Sequence, residues 1–234
     1  MPIGDADVHI TGISSMATRN VLAELAVLYQ ARTARLVEIQ SVGGVDAAKR
    51  VQAGEPFDVV ILASSAIDDL SRQGHLVPGT AVELVHSGVS VAVGTGGPRP
   101  DISNEERLRR AVQSARAIGI STGPSGVHLT KLFARWGLAD SLRDRLVVAM
   151  PGVPVGTLVA RGEVELGFQQ LSELIDVEGL VVLGPLPAPI QIVTTFTGAI
   201  ALRAQHPEAA RDLLDFMASP ACAAAKRRQG MEAP

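Results

Sequence analysis

Val51–Ala63 reads V-Q-A-G-E-P-F-D-V-V-I-L-A. A helix end at Val51, Gln52 and Ala53 stops at Gly54, where glycine is the usual terminator. The chain turns through Glu55-Pro56 and passes Asp58 into an unbroken apolar run, Val59–Leu62, which reads as a buried strand. Helix, glycine stop, turn and buried strand together are the unit of an α/β protein with mainly parallel strands. A second copy of the layout stands at Arg161–Phe168, R-G-E-V-E-L-G-F.

Outward from this stretch the alternation continues. Val8–Thr11 reads as a strand and Thr18–Ala31 as a helix with Val21, Leu22, Leu25 and Leu28 on one face. Ala34–Gln40 is the second strand, Val45–Ala53 a helix, and Ala66–Gln73 the helix after the buried strand. Helices are predicted over Asn104–Ser114, Val127–Trp136, Val155–Arg161 and Pro207–Arg228. Strands are predicted at Ala117–Ile120, Leu146–Ala149, Leu166–Gln169 and Val181–Leu183. Two long extended runs stand out: Glu83–Val93, which Ser87-Gly88 should break, and Gln191–Ala201. They divide the chain into one lobe from residues 1–85 plus 199–234 and another from residues 86–198. The expectation is two Rossmann-like lobes joined by two crossovers. Ligand would lie in a central cleft, at the carboxyl ends of strands and amino ends of helices.

Composition narrows the ligand. The 234 residues are 47% hydrophobic, enough for a sizeable core. No apolar run reaches the roughly 20 residues that span a bilayer, so membrane insertion is not expected. A net charge of −3 gives no electrostatic case for nucleic acid. The run Lys226-Arg227-Arg228 reads as a solvated helix end. Aromatics make up only 3%, too few for stacking platforms. A single cysteine, Cys222, excludes an intramolecular disulfide and reads as a buried, inert thiol. What remains is a small anionic ligand held by hydrogen bonds and backbone dipoles.

Several strand-to-helix loops have the residues for that task. Gly12–Ala17 (G-I-S-S-M-A) offers the hydroxyls of Ser14 and Ser15 and the amide of Met16 before a helix; the same serines, or Thr18, would serve as a plain N-cap. Ser41–Val45 brings Gly43 and Gly44, either for close approach to a ligand or for a bare tight turn. Ser64 follows the third strand, as a helix cap or a ligand contact. The sharpest loop is Ser121–His128 (S-T-G-P-S-G-V-H). Thr122 and Ser125 supply hydroxyls there, and Gly126, Val127 and His128 supply amides. His128 is placed in the first helical turn, where the dipole favours a neutral imidazole able to act as a base. Pro151–Thr157 contributes Pro154 and Val155 ahead of another helix. Gln169 and Gln170, ending a buried strand, either contact ligand or bridge lobes. His9, His75, His86 and His206 lack any such setting. There is no metal-ligand spacing, P-loop, G-x-G-x-x-G or nucleophile elbow, and no cofactor is expected.

The order and spacing of these loops resemble the type II periplasmic-binding-protein fold, and within it the molybdate-receptor family, from Val8 to about Gly230. The first ligand loop of that family matches Thr11–Ala17. Its serine-rich second loop matches Ser41–Val45, leading through a helix to Ala53-Gly54-Glu55-Pro56-Phe57-Asp58. Its third matches Thr122–His128, its fourth Pro154-Val155-Gly156, and a family tyrosine falls on Gln170. This chain departs from the pattern with Gly43 and Gly44 in place of serines and with Gln170. Both changes remove hydroxyl donors, which points away from molybdate itself. The resemblance extends to enzymes of this fold similar to the aconitate isomerases, which move a double bond by an allylic proton shift. For that reaction His128 would be the base and Arg19 a carboxylate clamp. The chain opens Met1-Pro2-Ile3-Gly4-Asp5-Ala6-Asp7-Val8 without a basic segment or an apolar export core, so the expectation is a cytoplasmic enzyme. The competing reading is a receptor or sensor for oxyanions or organic acids, with an ABC-transporter permease as its partner.

Overall fold

The computed structural model describes residues 8–150 and 152–234. The opening segment Met1–Asp7 and Pro151, both part of the readings above, lie outside the described residues. In chain order the elements begin β1 (His9–Ser15), α1 (Arg19–Thr33), β2 (Leu36–Val42), α2 (Gly44–Gln52), β3 (Val59–Ala63), α3 (Ser64–Arg72) and β4 (Val82–Gly94). They continue α4 (Glu105–Ser114), β5 (Ile118–Ile120), α5 (Pro124–Arg135), α6 (Ala139–Leu142), β6 (Leu146–Val148), α7 (Val155–Ala160) and β7 (Leu166–Gln170). The last are β8 (Leu180–Pro185), β9 (Val193–Ile200), α8 (Pro207–Ala218) and α9 (Ala223–Arg228). Two units result: Met1–His86 with Thr195–Pro234, and Ser87–Thr194.

In the first unit β1 lies between β2 and β3, parallel to both, and β9 closes on β3 antiparallel. The strand β3 is apolar and buried on both faces because both are covered. Ile10, Val59 and Ile61 pack with Val21, Leu22 and Leu25 of α1 and with Leu213 and Leu214 of α8. Ile13, Val60 and Leu62 pack the other way, with Ala47 and Val51 of α2 and Ile67 and Leu70 of α3. The run Val59–Leu62 therefore alternates between two cores, and that is why it shows no polar alternation.

The turn ahead of β3 is held by Asp58, which is 2% exposed. Its Oδ1 accepts from the backbone N–H groups of Gln205 (2.7 Å) and His206 (2.8 Å). Its Oδ2 accepts from the Thr11 N–H (2.9 Å) and hydroxyl (3.1 Å). Gly54 adopts φ +80, and a Cβ there would stand 2.6 Å from Arg203 Nη1. In the second unit β5 lies between β6 and β7, parallel to both, while β4 pairs antiparallel with β7 and β8. Leu129 and Phe133 of α5, Leu108 and Val112 of α4, and Phe168 of β7 form its larger core.

Three expectations need correction. Ser87-Gly88 does not break the extended run: β4 is continuous, and pairing of Val89 with Gln170 begins directly after Gly88. The C-terminal helix is not continuous either. Ser219 precedes Pro220 and is forced to an extended conformation (φ −66, ψ 154), which ends α8 before a 3-10 turn and α9. Lys226 is not solvated. It shares the inward face of its helix with Cys222 and Ala225, is 0% exposed, and its Nζ has no hydrogen-bond partner. Burial pulls its amine below the ordinary lysine value and pushes the Cys222 thiol up, so the thiol is indeed buried and unreactive.

Candidate functional site

In the first unit the candidate residues gather where β1, β2 and β3 end. The register sets Ser14 opposite Ser41 on one side and Ile61 on the other. The hydroxyls of Ser14 and Ser41 are hydrogen-bonded at 2.8 Å. The second loop thus keeps a hydroxyl, two residues ahead of the glycine pair that the sequence pattern singles out. Ser15 is 8% exposed, and its Oγ is buried without a partner. A buried hydroxyl left unpaired costs about 1–3 kcal/mol, which a ligand oxygen at that position would recover. Gly44 lies beside it: a Cβ on Gly44 would be 3.8 Å from Ser15 Cβ.

The capping expectations for this unit are not met. Ser15 precedes the 3-10 turn Met16–Thr18 but makes no side-chain cap. Thr18 instead donates its hydroxyl back to the Ser15 carbonyl at 3.0 Å. Met16 opens that turn, and Arg19 is the first residue of α1 and exposed. Gly43 is the N-cap of α2, again with no side-chain cap, so the first amides of α2 have no intrahelical acceptor. Asp46 Oδ2 lies 3.3 Å from the Cβ position of Gly43, and its charge takes up part of the helix-start field. Ser64 is not a cap: as the first residue of α3 it donates to the Thr195 carbonyl (3.1 Å) and shares a hydrogen bond with the Thr197 hydroxyl (2.7 Å).

In the second unit α5 begins at Pro124, three residues before the expected start. Proline at the first helical position is favourable, because the missing N–H would have no partner there. The shift changes the site. The Val127 amide is bonded to the Gly123 carbonyl at 3.2 Å and is not free. His128 is the fifth helical residue, past the first turn, and exposed. It borders a groove of about 450 Å³ with Lys131, Arg135, Pro189, Gln191 and Val193, and none of the other candidate residues lines it. Thr122 is exposed on the turn, while Ser125 is buried with its hydroxyl 3.2 Å from that of Ser121. Gly126 cannot carry a side chain, since a Cβ would fall 1.8 Å from the Ser121 carbonyl oxygen.

Pro154 is the N-cap of α7, and Val155 and Gly156 are its first, buried residues. Gln169 faces this turn: its Oε1 accepts from the Gly156 N–H at 3.0 Å, and its Nε2 donates to Glu173 Oε1 at 2.8 Å. Gln170, 5% exposed, donates to the Thr194 hydroxyl at 3.5 Å. Both glutamines are therefore bonded within their own unit.

The family profile of bacterial extracellular solute-binding proteins matches residues 10–232. The chain belongs to that family. An aconitate isomerase from a Pseudomonas species is 37% identical over 229 residues, spanning 95% of this chain and 87% of the relative. The periplasmic molybdate-binding protein of Azotobacter vinelandii superimposes with a TM-score of 0.81 at 22% identity, over 96% of this chain and 99% of that one. Peb3 from Campylobacter jejuni superimposes with a TM-score of 0.70 at 13% identity, over 95% and 99%. The fold of this solute-binding family member is thus the type II periplasmic-binding-protein fold.

Among the described residues of this family member, no group of three or more His, Cys, Asp and Glu is placed to hold a metal ion, and no helix is long and apolar enough to cross a membrane. Two residues escaped the sequence pattern. Ser41 was legible only through the strand register that pairs it with Ser14. Glu173 stands in the 3-10 turn Leu171–Glu173 after β7, where burial pushes its carboxyl up to about 7 against the hydrogen bond from Gln169. Its signal was an acid inside the apolar tract Leu171–Ile175.

Proposed function

We propose that this solute-binding-family protein is a cofactor-independent isomerase acting on a small unsaturated di- or tricarboxylate such as aconitate. The observation that carries the reading is the 37% identity to an aconitate isomerase along 95% of this chain. The reaction it implies is an allylic shift: a proton leaves one carbon, the double bond moves, and a proton is returned to the far carbon. Atoms balance without an oxidant or a cofactor. The chemistry needs a base and donors for the charge that develops on the carboxylates. The unpaired Ser15 hydroxyl and the open amides of α2 suit the second need. For the first, His128 is the proposed base, and Arg19, directly after the Met16–Thr18 turn, the proposed clamp.

The competing reading is a receptor for an oxyanion or organic acid working with an ABC-transporter permease. It is supported by the family match and by the molybdate-binding structural relative. A thermal-shift screen separates the two readings. Ligand that binds only the folded state raises the melting temperature by mass action. Stabilisation by cis- or trans-aconitate, with interconversion of the isomers followed by proton NMR, is the expected result. Stabilisation by molybdate or tungstate alone, with no turnover of aconitate, would return the protein to the receptor class. His128→Ala is expected to remove turnover while leaving most of the stabilisation by aconitate. Unchanged turnover would eliminate His128 as the base.

A further inference from the structure

Two features that pull in opposite directions meet at the start of α2. On one side are donors without acceptors. The helix is nine residues long, its N-cap is the bare Gly43, and no side chain caps its first amides. Beside it stands the unpartnered hydroxyl of Ser15, a residue 8% exposed, with the Cβ position of Gly44 3.8 Å from the Ser15 Cβ. A buried hydroxyl and open amides at one spot suit an anionic oxygen. On the other side is Asp46, in the first turn, whose Oδ2 lies 3.3 Å from the Cβ position of Gly43. Among the described residues nothing neutralises that carboxylate. Arg50, one turn further on, is committed to Glu55 (2.9 Å) and Gln40 (3.1 Å), and Lys49 is exposed and unpaired with it.

We propose that Asp46 determines which anion this site accepts: it admits one carboxylate of an organic acid and turns away a compact dianion such as molybdate. The repulsion grows with the charge brought against it. A carboxylate delivers one negative charge to the turn. The other charges of a di- or tricarboxylate lie further along the carbon skeleton, where distance and salt weaken their effect. Molybdate delivers two charges on a single centre. Gly43 and Gly44 act in the same direction, because they offer no hydroxyls to surround a tetrahedral oxyanion and leave room for a carbon skeleton. The inference rests on the anion-binding reading of the Ser15–Gly44 turn and deepens it by naming the residue that selects the anion.

The test is calorimetric titration of the whole protein with trans-aconitate and with molybdate, comparing wild type, Asp46→Asn and Asp46→Glu. The quantity read is the ratio of the two dissociation constants. Asp46→Asn is expected to move that ratio toward molybdate by about fivefold, the weight of one further unit charge repelled at short range in water. Asp46→Glu, which keeps the charge, is expected to keep the wild-type ratio. No gain in molybdate affinity in Asp46→Asn, or the same gain in Asp46→Glu, would overturn the role of the charge and leave the anion site standing. A wild type that binds molybdate more tightly than trans-aconitate would overturn it as well. Binding of neither anion by any of the three proteins would remove the site itself, and the inference with it. Should Asp46→Asn fail to fold, Asp46→Ser takes its place with the same expectation.

Discussion

Asp58 shows how one side chain decides a junction. Its two oxygens take four donors from Thr11, Gln205 and His206, three segments of the first unit that have no other reason to meet at that point. A carboxylate suits the task because it accepts in several directions and donates in none. Removing it leaves backbone N–H groups unpaired beside the buried end of β3. Asp58→Ala is therefore expected to cost about 3 kcal/mol or more, read from urea unfolding. A loss below about 1 kcal/mol would show that water replaces the carboxylate. In the sequence Asp58 read only as a landmark before the strand, because its partners lie 47 and about 147 positions away. Local pattern carries no record of such pairings. The same limit hid Ser41, and it let Lys226 pass for a solvated cation when its helix face turns inward.

At the scale of elements, periodicity and terminators recovered helices and strands to within a few residues, and the exceptions have physical causes. The start of α5 moved to Pro124 because proline is favoured at the first helical position, and the shift withdrew the Val127 amide from the site. The serines expected to cap helices find partners elsewhere, Ser64 on β9 and Ser14 on Ser41. Contacts between helices were likewise invisible in sequence. Glu24 of α1 accepts from Arg228 of α9 and from Gln229 just beyond it, and the Arg228 hydrogen bond, with Gln229 next, holds the Glu24 carboxyl below its ordinary value of 4.5. The folded state then prefers the ionised form. This stabilisation is complete above pH 4.5 and is lost as pH falls through the lowered folded value. Glu24→Gln is expected to unfold about 0.5 kcal/mol more easily than wild type at pH 7, as exposed pairs do. The gap should close in acid melts. A gap that stays constant down to pH 3 would assign the tie to packing rather than charge.

For the molecule as a whole, the family likeness and the α/β alternation were both legible from the order of loops along the chain, which survives wide divergence in residue identity. Ligand chemistry was less legible, because it depends on which hydroxyls and amides remain unpaired after folding. Ser15 keeps such a hydroxyl, whereas Gln169 does not keep a free amide.

The strand β9 brings time into the picture. It lines the free side of β3, pairing Val59–Ala63 with Phe196–Ile200, yet the ribosome makes it roughly 140 residues later. At about 5–20 residues per second, the nascent first unit waits roughly 7–30 s with an apolar strand edge unpaired. The unit Ser87–Thr194, by contrast, is continuous in the chain and has all its residues before the paired part of β9, Phe196–Ile200, emerges. Ribosome-bound chains stalled with residue 194 just outside the exit tunnel should resist protease across the second unit and be cut within the first; extending them past residue 230 should protect both. Early protection of the first unit would mean that β3 finds another cover. Until β9 arrives, that edge is the point in the life of this protein where a chaperone is most useful and a neighbouring nascent chain most dangerous.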